Sequence, residues 1–224
     1  MAPAADPRFE RIGEDCLLLR FGSRIEAASN ARVHALVSRL HATRPRWVAD
    51  IVPAFASVAV FVHLDETCES EPLDAAMAWL ATQSSHLDAH VAPTRTVEIP
   101  VRYGGADGPD LDAVAAHAGI DRDEAIARHA AVEYQVAMLG FAPGFPYLLG
   151  MDAALAIPRL ATPRLRVPAG SVGIGGAQTG IYPRTGPGGW RIVGRADATL
   201  FDPQRDPPAL LAPGDRVRFV PVAT

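Results

Sequence analysis

The segment VPAGSVGIGGAQTGIYPRTGPGGW, residues 167–190, is rich in glycine and proline and shows no helical spacing of its apolar residues. Short strand-like runs, SVGI, WRIVG and VRFVP, alternate with Gly and Pro turns within and after it. This alternation is typical of a β-barrel or a β-sandwich. Because glycine lets the main chain approach a ligand closely and proline holds it rigid, we predict that the segment lines a small-ligand site in a barrel-like domain.

An aromatic turn, GFAPGFPYL at residues 140–148, precedes this segment. Its aromatic residues alternate with glycine and proline, which indicates a rigid turn. Buried aromatic residues usually belong to a core. The turn is therefore compatible with either a hydrophobic plug at one end of the barrel or a ligand contact.

Residues 1–92 alternate between strand-like and helix-like segments. The runs CLLLRFG, WVADIV and SVAVFVHL are typical of strands. Two sets of apolar residues have the spacing of a helical face: Val33, Leu36, Val37 and Leu40, and then Leu73, Ala76, Met77 and Leu80. The order strand, helix, strand, strand, helix predicts a small ferredoxin-like α+β domain with its helices on one face of a sheet.

A domain boundary is predicted near Pro93, which discourages helix after the run HLDAHVA. We therefore divide the chain into a small α+β domain, residues 1–92, and a β-barrel domain, residues 93–224. The second domain opens with the strand-like run RTVEIPVRY.

Two short helices are predicted after that strand. Asp110 is placed to cap the first helix and Gly119 to end it. Asp121 is placed to cap the second, with Glu124 three residues later completing a capping box.

Composition and charge exclude several classes of protein. Hydrophobic residues make up 49% of the chain, and no apolar run is long enough to span a bilayer, so we predict a cytoplasmic protein with no membrane partner. A net charge of -4 provides no basic excess for nucleic acid. The chain contains no lysine, which excludes a Walker A loop and Schiff-base chemistry.

Patterns for metal binding or nucleophilic catalysis are weak. His86 and His90 are four residues apart, but no glutamate lies between them and no third ligand is evident, so we predict no metal site. Ser171 in AGSVG approximates a nucleophile elbow, but the residues after it cannot form the helix that the elbow requires. Cys16 and Cys68 lie in apolar runs and are predicted to be unpaired and non-catalytic.

Arginine residues are concentrated around the glycine-rich turns. Arginine recognises carboxylate and phosphate groups through paired hydrogen bonds. We predict that Arg164 and Arg195 contact a ligand, and that Arg166, Arg184 and Arg191 are solvated surface residues.

The motifs GFAPGFPYL, PRLATPRLRVPAGSVGIGGAQTGIYP, PGGWRIVGRA, LFDP and LLAPGDRVRF together closely resemble the family that contains the B subunit of 5-oxoprolinase, allophanate hydrolase subunit 1 and a sporulation-kinase inhibitor. The runs NARVHAL and DIVPAFASVAVF extend the resemblance into the amino-terminal half. The resemblance implies an amino-terminal α+β domain and a carboxy-terminal cyclophilin-like β-barrel. It also implies a heteromer with a homologous C subunit, a pair that occurs fused in the carboxyltransferase region of urea carboxylases.

An enzymatic function follows from this resemblance. The B and C subunits would use ATP to phosphorylate the lactam of 5-oxoproline, and a third, the A subunit, would complete hydrolysis to glutamate. ATP is expected to be shared with the partner, with Mg²⁺ as a further candidate cofactor. Two alternatives remain open: inhibition of a histidine kinase, and a carboxyltransferase role in allophanate or urea metabolism, where biotin would sit on another protein.

The candidate site residues come from the resemblance and the turn pattern together. The candidate catalytic residues are Arg164, Gln178, Tyr182 and Arg195, and the candidate substrate-binding residues are Ser171, Thr179, Trp190, Glu133, Phe145 and Gly176. Two positions depart from the family pattern. Gly186 stands where serine is expected, and Ala177 stands where relatives tend to carry a longer polar side chain, so a ligand contact at either position would argue against 5-oxoproline as substrate.

Overall fold

The computed structural model describes residues 7–64, 72–85, 87 and 95–223. The chain divides into two compact units, Met1–Ala92 and Pro93–Thr224. The expectations for Cys68, His86 and His90 fall outside the described residues.

The amino-terminal unit contains a four-stranded antiparallel sheet and two helices. Its elements are β1 (Arg8–Ile12), β2 (Cys16–Arg20), α1 (Ala27–Ala42), β3 (Val48–Pro53), β4 (Ser57–Val62) and α2 (Pro72–Ser84). The strands are ordered β1-β2-β4-β3 in the sheet. From β2 onward the chain follows the predicted order of strand, helix, strand, strand, helix. The ferredoxin-like arrangement is not confirmed, since the edge strand β1 comes from the start of the chain, where no strand was predicted.

The core of this unit lies between the sheet and the two helices. Alternate residues of β2 and β4 point to the same face, where Leu17 pairs with Val60 and Leu19 with Val58. The helices cover that face with apolar residues from the predicted stripes: Val33, Leu36, Leu40, Leu73, Ala76 and Leu80 are buried, and Val37 and Met77 are partly buried.

The carboxy-terminal unit contains a closed seven-stranded barrel. Its elements are β5 (Thr96–Tyr103), α3 (Leu111–Ala118), α4 (Arg122–Ala130), β6 (Glu133–Leu139), β7 (Pro146–Leu149), a 3-10 turn (Ala153–Leu155), β8 (Arg164–Val167), β9 (Ser171–Gly175), β10 (Gln178–Ile181), β11 (Gly186–Gly188), β12 (Arg191–Ala196) and β13 (Arg216–Pro221). The barrel is ordered β10-β7-β6-β13-β5-β12-β9, and β8 and β11 form a separate two-stranded ribbon. The closed barrel is compatible with the cyclophilin-like domain that the resemblance implies.

The helix ends follow local sequence only in part. Gly119 ends α3 in the left-handed conformation, with φ of 69°, and the Asp121 side chain accepts a hydrogen bond of 2.8 Å from the Glu124 N–H at the start of α4. The Glu124 carboxylate does not complete the capping box, because it pairs with Arg128 at 2.7 Å. Asp110 occupies the N-cap position of α3, but its side chain makes no capping hydrogen bond. The prediction that it caps the helix is therefore wrong for the side chain.

None of the helices among the described residues is long and apolar enough to cross a membrane.

Candidate anion-binding site

A cavity of about 140 Å³ lies in the carboxy-terminal unit, between the β8–β11 ribbon, strands β9 and β12, and the loop before α3. Its lining brings together three residues that the sequence selected, Arg164, Arg195 and Ser171. The other lining residues are Ala106, Asp107, Pro109, Arg166, Val167, Pro168 and Ile192. Three arginines thus line one small space, and arginine is the residue type expected at a site for an anion.

The two terminal nitrogens of Arg164 differ in their partners. Its Nη2 donates a hydrogen bond of 2.8 Å to Oδ1 of Asp110. Its Nη1 is buried and has no hydrogen-bond partner among the described residues. A buried donor without an acceptor is costly, so an acceptor supplied at this nitrogen by a ligand would be stabilising.

Asp110 connects Arg164 to the barrel wall. Its side chain is only 10% exposed, and Oδ2 accepts a hydrogen bond of 2.6 Å from the Ile192 N–H of β12. The Asp110 N–H in turn donates to the Ile192 carbonyl at 2.9 Å. The carboxylate is thus fixed by the main chain of a barrel strand.

Arg195 and Ser171 face each other across the pairing of β12 with β9. Arg195 lies 3.9 Å from Asp107, and Asp107 accepts a hydrogen bond of 2.9 Å from Nε of Arg102. Arg102 also pairs with Asp197, and both hydrogen bonds raise the pKa of its guanidinium and keep it charged. The Asp107 carboxylate is therefore paired mainly with Arg102. Arg195 makes only the longer contact with Asp107 and lines the cavity.

An aromatic cluster borders the cavity. Phe145, Tyr182 and Trp190 are buried together with Ala142, and Val167 and Ile192 belong both to this cluster and to the cavity lining. Burial raises the pKa of the Tyr182 phenol, which stays protonated at neutral pH. Trp190 also carries Arg159 over its ring, at 5.6 Å from the ring centroid. The wall beside the cavity therefore consists of Phe145, Tyr182 and Trp190, which are not among the lining residues.

The glycines of residues 167–190 make room for these aromatic side chains. A Cβ at Gly175 would lie 2.6 Å from the Trp190 ring, and one at Gly188 would lie 2.3 Å from the Tyr182 hydroxyl oxygen. At Gly180 the nearest atom would be the Pro146 carbonyl oxygen at 2.5 Å. The expectation that these glycines let the main chain approach a ligand is corrected at these positions, because protein atoms already occupy the space.

Thr179 lies inside the barrel and is fully buried. Its hydroxyl donates to the Gly173 carbonyl at 3.0 Å and lies 3.0 Å from Nε2 of His129. Since the hydroxyl proton is used, Nε2–H is the donor to Thr179, and Nδ1 accepts from the Tyr103 hydroxyl at 2.8 Å. Burial lowers the pKa of His129 to about 3, which keeps the imidazole neutral. Thr179 is thus engaged in an internal hydrogen-bond chain and does not line the cavity.

The remaining candidates do not line the cavity either. Gln178 is buried, and its Nε2 has no hydrogen-bond partner among the described residues. Gly176 adopts a φ of 65° in the β9–β10 turn with no atom within 4 Å of its Cβ position. Glu133 is part of a partly exposed group with Arg218, at 3.6 Å, and Thr96.

Three residues of the site escaped the sequence analysis. Asp107, which lines the cavity, and Asp110, which holds Arg164, lie in the run GGADGPD, in which only Asp110 was interpreted, as a helix cap. Arg166 is exposed, as expected, and it also contributes to the cavity lining. A signal was present, because two acidic residues follow one strand in a chain rich in arginine, but the sequence does not show which arginines they meet.

Together, the closed barrel and the arginine-lined cavity define a barrel protein with a candidate site for a small anion. The family of carboxyltransferase domains, subdomain C and D, matches residues 7–211, and the chain belongs to this family. The B subunit of 5-oxoprolinase from Escherichia coli O157:H7 is 45% identical over 210 residues, which cover 94% of each protein. The B subunit of 5-oxoprolinase from Bacillus subtilis (strain 168) is 40% identical over 223 residues, which cover 96% of this chain and 93% of that protein.

The crystal structure of TTHA0988 has a similar fold. It superposes with a TM-score of 0.79 at 38% identity, covering 93% of this chain and 40% of that chain. This chain therefore spans less than half of that longer protein.

Proposed function

We propose that this chain is the B subunit of an ATP-dependent 5-oxoprolinase and that the arginine-lined cavity binds the acid. The identity of 45% and 40% to proteins named as that subunit, over nearly the whole chain, supports the activity. The observation that carries the choice of site is the buried Nη1 of Arg164, which has no acceptor among the described residues. A carboxylate oxygen of 5-oxoproline supplies that acceptor.

The size of the cavity favours a single-ring ligand. Its volume of about 140 Å³ is close to that of an engineered cavity, about 150 Å³, that holds one benzene ring. A whole nucleotide exceeds this space. 5-Oxoproline is a five-membered ring with one carboxylate, and any part of it that extends beyond the cavity would lie in the cavity opening.

The local charge also favours an anion with one negative charge. Arg164, Arg166 and Arg195 line the cavity with Asp107. When the residues bonded to them, Arg102, Asp110 and Asp197, are included, four arginines face three aspartates, which leaves a net charge of +1. One carboxylate balances this charge, whereas the several negative charges of a triphosphate do not.

The chemistry proposed for the assembly is activation of a poor electrophile. The lactam oxygen attacks the γ-phosphorus of ATP and ADP leaves. One water then attacks the activated ring carbon, and the ring C–N bond opens to give an acyl phosphate of glutamate. A second water hydrolyses this acyl phosphate, which yields glutamate and inorganic phosphate. Arginines and main-chain N–H groups stabilise the negative charge that develops in such transfers. In this chain the cavity would hold the acid in place, and the homologous C subunit and the A subunit would supply the remaining groups.

ATP would be shared with the homologous C subunit. Within the described residues there is no cluster of three or more histidine, cysteine, aspartate or glutamate side chains that could hold a metal ion. Mg²⁺ bound to the phosphates of a nucleotide needs only one or two protein carboxylates.

Coexpression with the C and A subunits tests this function. We expect ATP consumption that depends on 5-oxoproline and releases one glutamate for each ATP used. Urea in place of 5-oxoproline serves as the matched substrate control and should give no ATP consumption. A folded three-subunit complex that consumes ATP with urea but not with 5-oxoproline would refute the proposal in favour of a urea-related role.

A further inference from the structure

We propose that Asp110 is a positioning residue that aims Arg164 at the carboxylate of the bound acid. This inference rests on the proposed function for the identity of the acid. It assigns a role to a buried carboxylate that neither the helix cap nor the barrel core explains.

The two oxygens of Asp110 have different partners. Oδ2 accepts from the Ile192 N–H at 2.6 Å, so it is fixed to β12, a strand of the closed barrel. Oδ1 accepts from Nη2 of Arg164 at 2.8 Å. Arg164 belongs to the β8–β11 ribbon, which lies outside the barrel sheet. The carboxylate therefore ties a side chain of the ribbon to the rigid wall of the barrel.

In this arrangement helix α3 has no side-chain hydrogen bond at its N-cap. Asp110 occupies the N-cap position without a side-chain hydrogen bond to the helix, although aspartate at this position ordinarily accepts one from the first turn. A residue that violates a local rule is a candidate for a functional role. Here the carboxylate that could cap the helix holds the guanidinium instead.

Because the guanidinium is planar and rigid, the position of Asp110 fixes the orientation of the whole group. With Nη2 bonded to Asp110, the direction of Nη1 is set by the fixed geometry of the fork. That nitrogen is buried and has no partner among the described residues. A ligand oxygen placed there gains a charge-assisted hydrogen bond without the entropic cost of ordering the arginine.

The first test is a set of variants titrated with 5-oxoproline. Asp110→Asn preserves the shape of the side chain but removes its charge, and we expect about tenfold weaker binding, equivalent to about 1.4 kcal/mol. Arg164→Lys preserves the positive charge but loses the fork, and we expect a similar loss. Lysine is chosen over alanine because alanine would leave the buried Asp110 carboxylate without a cation.

The double variant separates positioning from general stability. If Asp110 acts through Arg164, Asp110→Asn added to Arg164→Lys should weaken binding by less than about twofold beyond Arg164→Lys alone. Losses that multiply would overturn the proposal. Asp112→Asn is the matched control: this exposed aspartate lies two residues further on and pairs with Arg122 outside the cavity, so binding should not change.

Kinetics of the assembled complex provide a second readout. We expect Asp110→Asn to raise the KM for 5-oxoproline about tenfold while kcat changes by less than about threefold, since an anchor of the carboxylate contributes to binding more than to the chemical step. A fall in kcat at constant KM would overturn the role as an anchor.

A ligand-free measurement distinguishes this inference from the proposed function. The side-chain NMR signals of Arg164, identified by their loss in Arg164→Lys, should show slow rotation of the guanidinium in the native protein and fast rotation in Asp110→Asn. Unchanged rotation would overturn the positioning role. If rotation changes as expected but the native protein does not bind 5-oxoproline, the positioning role stands and the proposed function is overturned.

Discussion

At the scale of single residues, the buried chain of Tyr103, His129 and Thr179 shows how the barrel interior accommodates polar groups. Each hydrogen-bonding atom of the imidazole has a partner, at 2.8 Å and 3.0 Å, and the Thr179 hydroxyl ends the chain on a main-chain carbonyl. Polar groups that are fully satisfied in a low dielectric strengthen one another and select one packing. The imidazole fits this network only in its neutral form, because a protonated ring would direct a second donor at Tyr103.

His129 should make the stability of the barrel depend on pH. Its pKa is about 3 in the folded protein and about 6.5 in an unfolded chain. The unfolded state therefore binds more protons between these values, and the free energy of unfolding should fall as the pH decreases below about 6.5, with a slope near 1.4 kcal/mol per pH unit from this group. Urea unfolding measured between about pH 4 and pH 8 checks the slope.

The matched control for this prediction is another histidine of the same unit. His117 lies on the outer side of α3 and is not among the buried residues of that helix, so His117→Gln should leave the slope unchanged, whereas His129→Gln should flatten it by about 1.4 kcal/mol per pH unit. An equal slope in native protein and His129→Gln would contradict the assignment of the pH dependence to His129.

At the scale of elements, strands β9 and β10 are adapted to the aromatic residues packed on them. Gly173 and Gly175 of β9 lie under Trp190, and Gly180 of β10 lies under Phe145. Glycine weakens a strand in isolation, but here an aromatic ring lies against the space of the missing side chain at Gly175 and Gly180, and the Trp190 Cβ lies there at Gly173. The strands are therefore stabilised by the packing above them rather than by their own propensity.

Gly175→Ala should destabilise the barrel. The added methyl group would lie 2.6 Å from the Trp190 ring, and we expect a loss of about 1–3 kcal/mol from overpacking. Gly186→Ala is the control, because its Cβ would have no atom within 4 Å, and its effect should be within about 0.5 kcal/mol. Equal urea midpoints for the two variants would contradict the role of Gly175 in seating Trp190.

At the scale of the whole molecule, each compact unit has its own hydrophobic core. One core is built from residues between Phe9 and Leu87, and the other from residues between Val97 and Phe219. The barrel is closed by hydrogen bonds among its own strands. The strands that close the barrel therefore all belong to the carboxy-terminal unit.

A chain that begins at residue 93 should fold independently. Because its core and its barrel closure are complete within residues 95–223, we expect cooperative urea unfolding and dispersed amide NMR signals. The full-length chain measured under the same conditions is the reference for the barrel signals. Gradual unfolding with collapsed signals would refute the independence of the two units.

Features that depend on near neighbours in the chain could be predicted from the sequence. The apolar stripes of α1 and α2, the end of α3 at Gly119 and the Asp121 cap all arise within a few residues, and the structure contains each of them. The family resemblance was equally accessible, because its motifs are contiguous. Strand β1 was missed because its run RFERI is mostly exposed and polar, with no alternation to reveal it.

The helices, the β-rich second half and the family follow from the sequence alone, because each depends on patterns that neighbouring residues carry. Which charges meet depends on the tertiary structure, because Asp110 precedes α3 and Arg164 lies 54 residues later in the β8–β11 ribbon. The tertiary structure also decided that several of the glycines serve aromatic packing, that Thr179 faces inward, and that Arg166 lines the cavity. Such contacts depend on the register and packing of distant strands, which no local pattern in the sequence specifies.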